Sequence, residues 1–248
     1  MKLKQLVSAF FVITSLSIAI ANPSFATPTC SLNVAGMSFL ADYTSPIDRS
    51  KYLTLVESAH FTPSVQNLVR GNTGHLGPDL SYTLDHFPNH HLALDSSSRF
   101  SIREKKSKPF GMRCTIEGFF DRAIEFQPKD AMVHMLYGMH FSRLKKSDKA
   151  LQQFELAEKL DPEDANLLYN LGLVYFDLKQ YDKASSYAQK AYQNDFPLEG
   201  LKNKLKQVGK WVEPEKKVQK EEKVVPDSSN IDKPQSPDTP IPTEVPKQ

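Results

Sequence analysis

Between Ala131 and Leu198 apolar residues return three and four positions apart, the spacing of one helix face rather than the alternation of a strand. The pattern also copies itself. AMVHMLYGMHFSRLKKSDKALQQFELAEKLDPED (Ala131–Asp164) and ANLLYNLGLVYFDLKQYDKASSYAQKAYQNDFPL (Ala165–Leu198) are both 34 residues long. Gly138 falls on Gly172, Phe141 on Tyr175, Leu144 on Leu178, Ala150 on Ala184 and Ala157 on Ala191. A fixed period in this range predicts stacked helical hairpins, each leaving an apolar face that its neighbour covers.

Upstream the pattern is fainter. Asp48 is placed to cap a helix over Arg49–Glu57, and Thr62-Pro63 opens a helix with Val65, Leu68 and Val69 on one face and Gly71 at its end. GNTGHLGPD reads as a turn-rich linker. Pro78 and Asp79 open a helix that turns Leu80, Leu84 and Phe87 to one side, and Asn89–Phe100 is a further helix with Leu92 and Leu94. Residues 101–109, SIREKKSKP, form a basic loop, and Phe110–Phe126 is helical again. Its tail (Ile116, Phe120, Ala123, Phe126, Pro128) matches Ala150, Phe154, Ala157, Leu160 and Pro162, so 89–130 reads as a degenerate repeat lengthened between its helices. After the second repeat, Glu199–Lys210 has the polar outer face of a cap, which an open stack needs to stay soluble. Residues 212–248 hold seven prolines and no aromatics, and are expected to be disordered.

The first residues belong to a different class of segment. Lys2 and Lys4, the uncharged run Leu6–Ala21, and Ser24-Phe25-Ala26 have the layout of a secretory signal peptide cleaved after Ala26. The expected organisation is a signal peptide (1–26), a mostly helical region (27–109) and a repeat region (110–211). The repeat region divides into a half-repeat (110–130), two repeats (131–164 and 165–198) and a cap (199–211), and a tail (212–248) follows. Without Lys2 and Lys4 the chain carries 29 basic and 29 acidic residues, which argues against a nucleic-acid binder. No other stretch is apolar enough to span a bilayer, so no stable membrane insertion is expected once the signal is removed. Two cysteines, Cys30 and Cys114, read as a disulfide in an exported protein; a redox or metal pair has no Cys-x-x-Cys spacing behind it. Periplasmic or secreted location in a bacterium follows as an expectation.

The two 34-residue lines resemble tetratricopeptide repeats. The first supplies His134, Tyr137-Gly138, Phe141, Ala150, Phe154, Ala157 and Pro162 at the family's key positions. The second supplies Leu168, Leu171-Gly172, Tyr175, Ala184, Ala188 and Ala191, with Pro197 one place late. The resemblance implies an all-α, right-handed stack of hairpins with a capping helix, whose first helices line a concave groove for a protein or peptide partner. The groove positions it implies are Met132, Met135, Leu136, Met139, Ser142 and Arg143 on the first repeat, and Asn166, Tyr169, Asn170, Leu173, Phe176 and Asp177 on the second. Met132, Met135 and Met139 make one stripe, which suits an adaptable binding surface or core packing equally. Some family members clamp a C-terminal carboxylate. Here the clamp positions hold Met135, Met139, Asn170, Gly200 and Lys204, so that mode is not expected.

Little else suggests chemistry. His86, His90 and His91 are the candidate metal ligands, but Pro88 interrupts the helix that would align them and no HExxH pattern is present. No Gly-x-Ser-x-Gly elbow appears, and GNTGHLG lacks the GK[ST] ending of a phosphate loop. The expectation is a non-catalytic scaffold in the cell envelope, without cofactor or metal, that holds a protein partner not identifiable from sequence. The alternatives are a small hydrolase or metal protein using the histidine cluster, and a cell-wall glycan binder.

Overall fold

The computed structural model describes residues 30–33 and 38–213. The signal-peptide segment and residues 214–248 lie outside the described residues. Every regular element described is helical: α1 (Pro46–Asp48), running through a π-helical turn (Arg49–Leu53) into α2 (Thr54–His60), then α3 (Pro63–Gln66), α4 (Leu76–His86), α5 (His91–Glu104), α6 (Ile116–Phe126), α7 (Ala131–Arg143), α8 (Ser147–Leu160), α9 (Ala165–Asp177), α10 (Tyr181–Gln193) and α11 (Gly200–Gln207). α7 pairs with α8 and α9 with α10, and α8 packs on α9, so the hairpins stack in chain order.

The same local chemistry starts and ends the first helix of each hairpin. A side chain accepts from the backbone N–H three residues on: His90 from Ala93, Asp130 from Val133 and Asp164 from Leu167. Each follows a proline turn (Pro88, Pro128, Pro162), which cannot extend the preceding helix. At the other end Lys105, Lys145 and Lys179 take left-handed backbone, with φ of 53°, 60° and 59°. The next N–H in each case reaches back to a carbonyl in the last turn: Lys106 to Ser101, Lys146 to Phe141 and Gln180 to Tyr175. This is the Schellman way of satisfying helix-end carbonyls. α5 thus begins and ends as α7 and α9 do, but its connection to the next helix is longer, residues 105–115 against 144–146 and 178–180, and α5 packs more sparsely on α6.

Inside the hairpins, small residues sit where helices touch. A Cβ on Gly138 would lie 2.6 Å from the Phe154 ring, and one on Gly172 would lie 2.5 Å from Leu201. Phe141, Phe154, Leu168, Leu171 and Tyr175 fill the core between layers, and Leu201 and Leu205 of α11 bury against the last hairpin.

The N-terminal half departs from the sequence expectations in its boundaries. The first helix is capped by Ser45 and begins at Pro46, while the Asp48 carboxylate turns back to accept from the Asp42 N–H. Thr62 holds the cap position of α3 without a side-chain cap bond, and Leu68, at φ 58°, turns the chain before Gly71. Val69 is consequently 74% exposed rather than on the buried face. The expected linker contains the start of α4, because Asp79, fully buried, accepts from the Asn72 and Thr73 N–H groups and satisfies the turn from within the helix. α5 runs on through Glu104 into the expected loop, and Leu92 faces outward while Leu94 is buried. α6 begins only at Ile116, with Thr115 as its cap; Phe110 is 71% exposed.

Cys30 and Cys114 are joined in a disulfide with a Cα–Cα distance of 5.7 Å. Beside it lies Arg122, fully buried, whose guanidinium donates to the carbonyls of Leu84, Asp85 (2.9 Å) and Ser31 (3.1 Å). Burial lowers its pKa to about 10, which leaves it charged at neutral pH. Covalent bond and cation together hold residues 30–33 against α4 and α6. Asn89, also fully buried, ties down the next segment: it donates to Asp42 (2.8 Å) and Asp130 (3.0 Å) and accepts from the Tyr43 N–H (2.9 Å).

Candidate functional site

Groove positions are projected by α7 and α9, the first helices of the two best-formed hairpins. The structure divides them into two groups. Some are consumed internally. Met135 is buried in the core with Leu136. Tyr169 is buried, stacks on Phe196 at 4.1 Å, and accepts from the Leu201 N–H at 3.2 Å, so it serves the seat of α11. Arg143 pairs with Asp95 at 2.6 Å and donates to Ser98 Oγ at 2.8 Å, fastening α7 to α5. These four are positioned by packing and offer little to a visiting chain.

The others, apart from the buried Ser142 hydroxyl, remain accessible. Asn166 and Asp177 are exposed, and Met132, Met139, Ser142, Asn170, Leu173 and Phe176 are half-buried. Met132 and Met139 rest on the core with one side and face outward with the other, so the stripe is a core wall with a polarizable outer edge. Met132 and Met135 also line a small cleft of about 70 Å³ with Ala131, Asp161, Asp164 and Leu167, where one repeat meets the next. On α9, Asn170 donates to the Asn166 carbonyl at 2.8 Å, which orients its amide. Phe176 carries Lys204 over its ring at 5.4 Å, a cation–π contact across to α11. The accessible strip is therefore Asn166, Asn170, Leu173, Phe176 and Asp177, continued on α7 by Met132 and Met139.

The histidines do not converge. His90 accepts from the Ala93 N–H on Nδ1 and meets Glu57 on Nε2 at 3.1 Å; burial lowers its pKa, which keeps it neutral. His91 Nε2 meets Asp130 at 2.8 Å, and His86 Nδ1 meets the Tyr82 carbonyl at 3.1 Å. With these nitrogens spent on separate partners, the cluster works as capping and joining of the α4–α5 corner. Among the described residues no group of three or more His, Cys, Asp or Glu side chains is arranged to hold a metal. No described helix is long and apolar enough to cross a membrane.

Comparison with known proteins bears on the same helices. Residues 143–179 match a family model described as TPR repeat, and residues 165–195 match one described as tetratricopeptide repeat. An Hsp70-Hsp90 organising protein of Plasmodium falciparum (isolate 3D7) is 36% identical over 63 residues, a stretch that is 25% of this chain and 11% of that protein. The likeness is thus to a small part of that relative. The segment that holds α8, α9 and α10 thus matches tetratricopeptide-repeat models.

Proposed function

We propose that this chain is an exported, non-catalytic scaffold that holds a protein partner in the bacterial cell envelope. The repeats imply a protein-interaction role. The observation that carries the finer reading is the accessible strip of amide, aliphatic and aromatic groups on α9, held on a rigid hairpin beside a sequence that begins like a signal peptide. Asn170, with its amide oriented by Asn166, suits a bond to a partner backbone, and Leu173 and Phe176 supply apolar contact.

The test uses side chains that keep accessible surface on α9. A variant carrying Asn170→Ala and Phe176→Ala is expected to retain native circular dichroism and to lose a partner that the wild-type chain captures from envelope extract. Equal capture by both proteins counts against the strip. Export is tested separately by fractionation and N-terminal sequencing, with a mature chain beginning at Thr27 as the expected result and a cytoplasmic chain beginning at Met1 as the opposing one.

A further inference from the structure

The long connection between α5 and α6 leaves a cavity of about 440 Å³ between the C-terminal ends of α5 and α7 and the start of α6. That is within the usual span of ligand pockets. The two following hairpins close the corresponding place with three-residue turns, 144–146 and 178–180. Ile102, Ile116 and Leu144 supply apolar wall, and the charged lining is Lys105, Lys106, Arg143 and Lys146 with the single carboxylate of Glu117. Arg143 is balanced by Asp95, and Lys146 meets Glu117 at 3.1 Å. Lys105 and Lys106 are exposed and make no ion pair among the described residues, so two positive charges are left over. The left-handed backbone at Lys105, closed by hydrogen bonds to Ser101 and Ile102, anchors this part of the connection.

On the floor lies His140, only 2% exposed. Ser98 Oγ accepts from Arg143 at 2.8 Å and lies 3.0 Å from His140 Nδ1, to which its own proton can be donated. In the tautomer in which Ser98 donates, Nδ1 is the acceptor and Nε2 carries the hydrogen. Burial keeps the ring neutral, its pKa lowered to about 4. That Nε2–H has no acceptor among the described residues, and the ring lines the cavity. A ring N–H on the floor of a cavity lined by two lysines that make no ion pair among the described residues is an arrangement for an anionic group.

We propose that this cavity binds an acidic peptide segment of a protein partner, a carboxylate meeting His140 Nε2–H and the Lys105–Lys106 pair while an aliphatic side chain enters between Ile102, Ile116 and Leu144. The inference rests on the scaffold reading and gives the partner a chemical character. The aliphatic wall favours a peptide over a bare inorganic anion, which has nothing to bury there.

The test is fluorescence anisotropy of a labelled peptide of alternating Glu and Leu on the full chain. Its Gln–Leu counterpart and inorganic phosphate serve as the other arms. The Glu peptide is expected to saturate, and to bind about tenfold or more weakly to Lys105→Glu/Lys106→Glu, whose altered residues are exposed and unpaired. Lys159→Glu, an exposed lysine on α8, is the control and is expected to bind like the wild type. His140→Phe is expected to weaken binding further, and added salt to weaken it throughout. Equal binding of the Gln peptide, no loss in the double variant, or no saturable binding overturns the proposal. Phosphate saturating the site with the peptide excluded overturns it too, in favour of a simple anion. A partner still captured through α9 while the Glu peptide fails leaves the scaffold reading standing and removes this one alone.

Discussion

Lys179 occupies a backbone conformation, φ 59°, that a residue with a Cβ enters at a cost of roughly 1–2 kcal/mol. The turn needs it, because only that geometry brings the Gln180 N–H back to the Tyr175 carbonyl. Glycine removes the steric cost but loses more backbone freedom on folding. The two effects leave Lys179→Gly a net gain of about 0.5–1 kcal/mol, read as a higher Tm with unchanged circular dichroism. A lower Tm would mean that the lysine stem contributes packing that outweighs the turn. His140 carries a different kind of cost. Its pKa, about 4 in the folded chain, lies below the ordinary histidine value because burial disfavours the imidazolium and Arg143 and Lys146 repel it, against an opposing pull from Glu117. The unfolded chain therefore takes the proton first. Stability from this group is complete above about pH 6.5 and is lost as pH falls from there towards 4, by at most roughly 3 kcal/mol. His140→Phe is expected to flatten the dependence of urea midpoint on pH across that window. An unchanged slope would assign the acid sensitivity to another buried histidine, His90, whose pKa burial lowers in the same direction.

Hairpins are set by how closely their helices approach. Gly138 lies against the ring of Phe154, which is fully buried and has no room to withdraw. Gly138→Ala is therefore expected to lower stability by about 1–3 kcal/mol, measured from the denaturant midpoint, despite alanine's better helix propensity. The small positions were readable in advance for α7–α10, because the 34-residue period repeats Gly138 at Gly172 and Ala150 at Ala184, but not their partners: Gly138 meets Phe154, whereas Gly172 meets Leu201 of α11. Boundaries in the N-terminal half were less readable, for reasons visible in single residues. Asp79 closes a turn from inside α4, Leu68 turns left-handed without being glycine, and Ser45 rather than Asp48 caps the first helix. None of these tertiary or backbone choices leaves a periodic mark. The candidate strip was readable as a set of positions, but not which of them the molecule keeps for itself. Tyr169 is spent on the Leu201 N–H and Arg143 on Asp95, partners remote in sequence. The basic loop was visible as composition, and only the fold shows that it roofs a cavity floored by His140.

A stack of hairpins exposes an apolar face at each end, and both ends must be closed for the molecule to stay soluble. At the C-terminal end α11 does this with Leu201 and Leu205, both fully buried. At the N-terminal end closure depends on residues 30–33 and on the segment from Phe39 to His60, which is not itself a repeat. Arg122 and Asn89 hold that closure by polar contacts to backbone and carboxylates, and the Cys30–Cys114 bond holds it covalently across 84 residues of sequence. Cross-linking so long a loop restricts the unfolded chain and is worth typically about 2–4 kcal/mol. Reduction is therefore expected to lower the guanidinium midpoint by a corresponding amount while leaving the helical circular dichroism intact in the absence of denaturant, because α7–α11 pack without help from either cysteine. The same shift is expected in Cys30→Ser/Cys114→Ser without reductant, which separates the bond from any effect of the reducing agent. A collapse of helix content on reduction would show instead that the whole stack depends on its N-terminal closure. An unchanged midpoint would show that Arg122 and Asn89 hold these segments without the covalent tie.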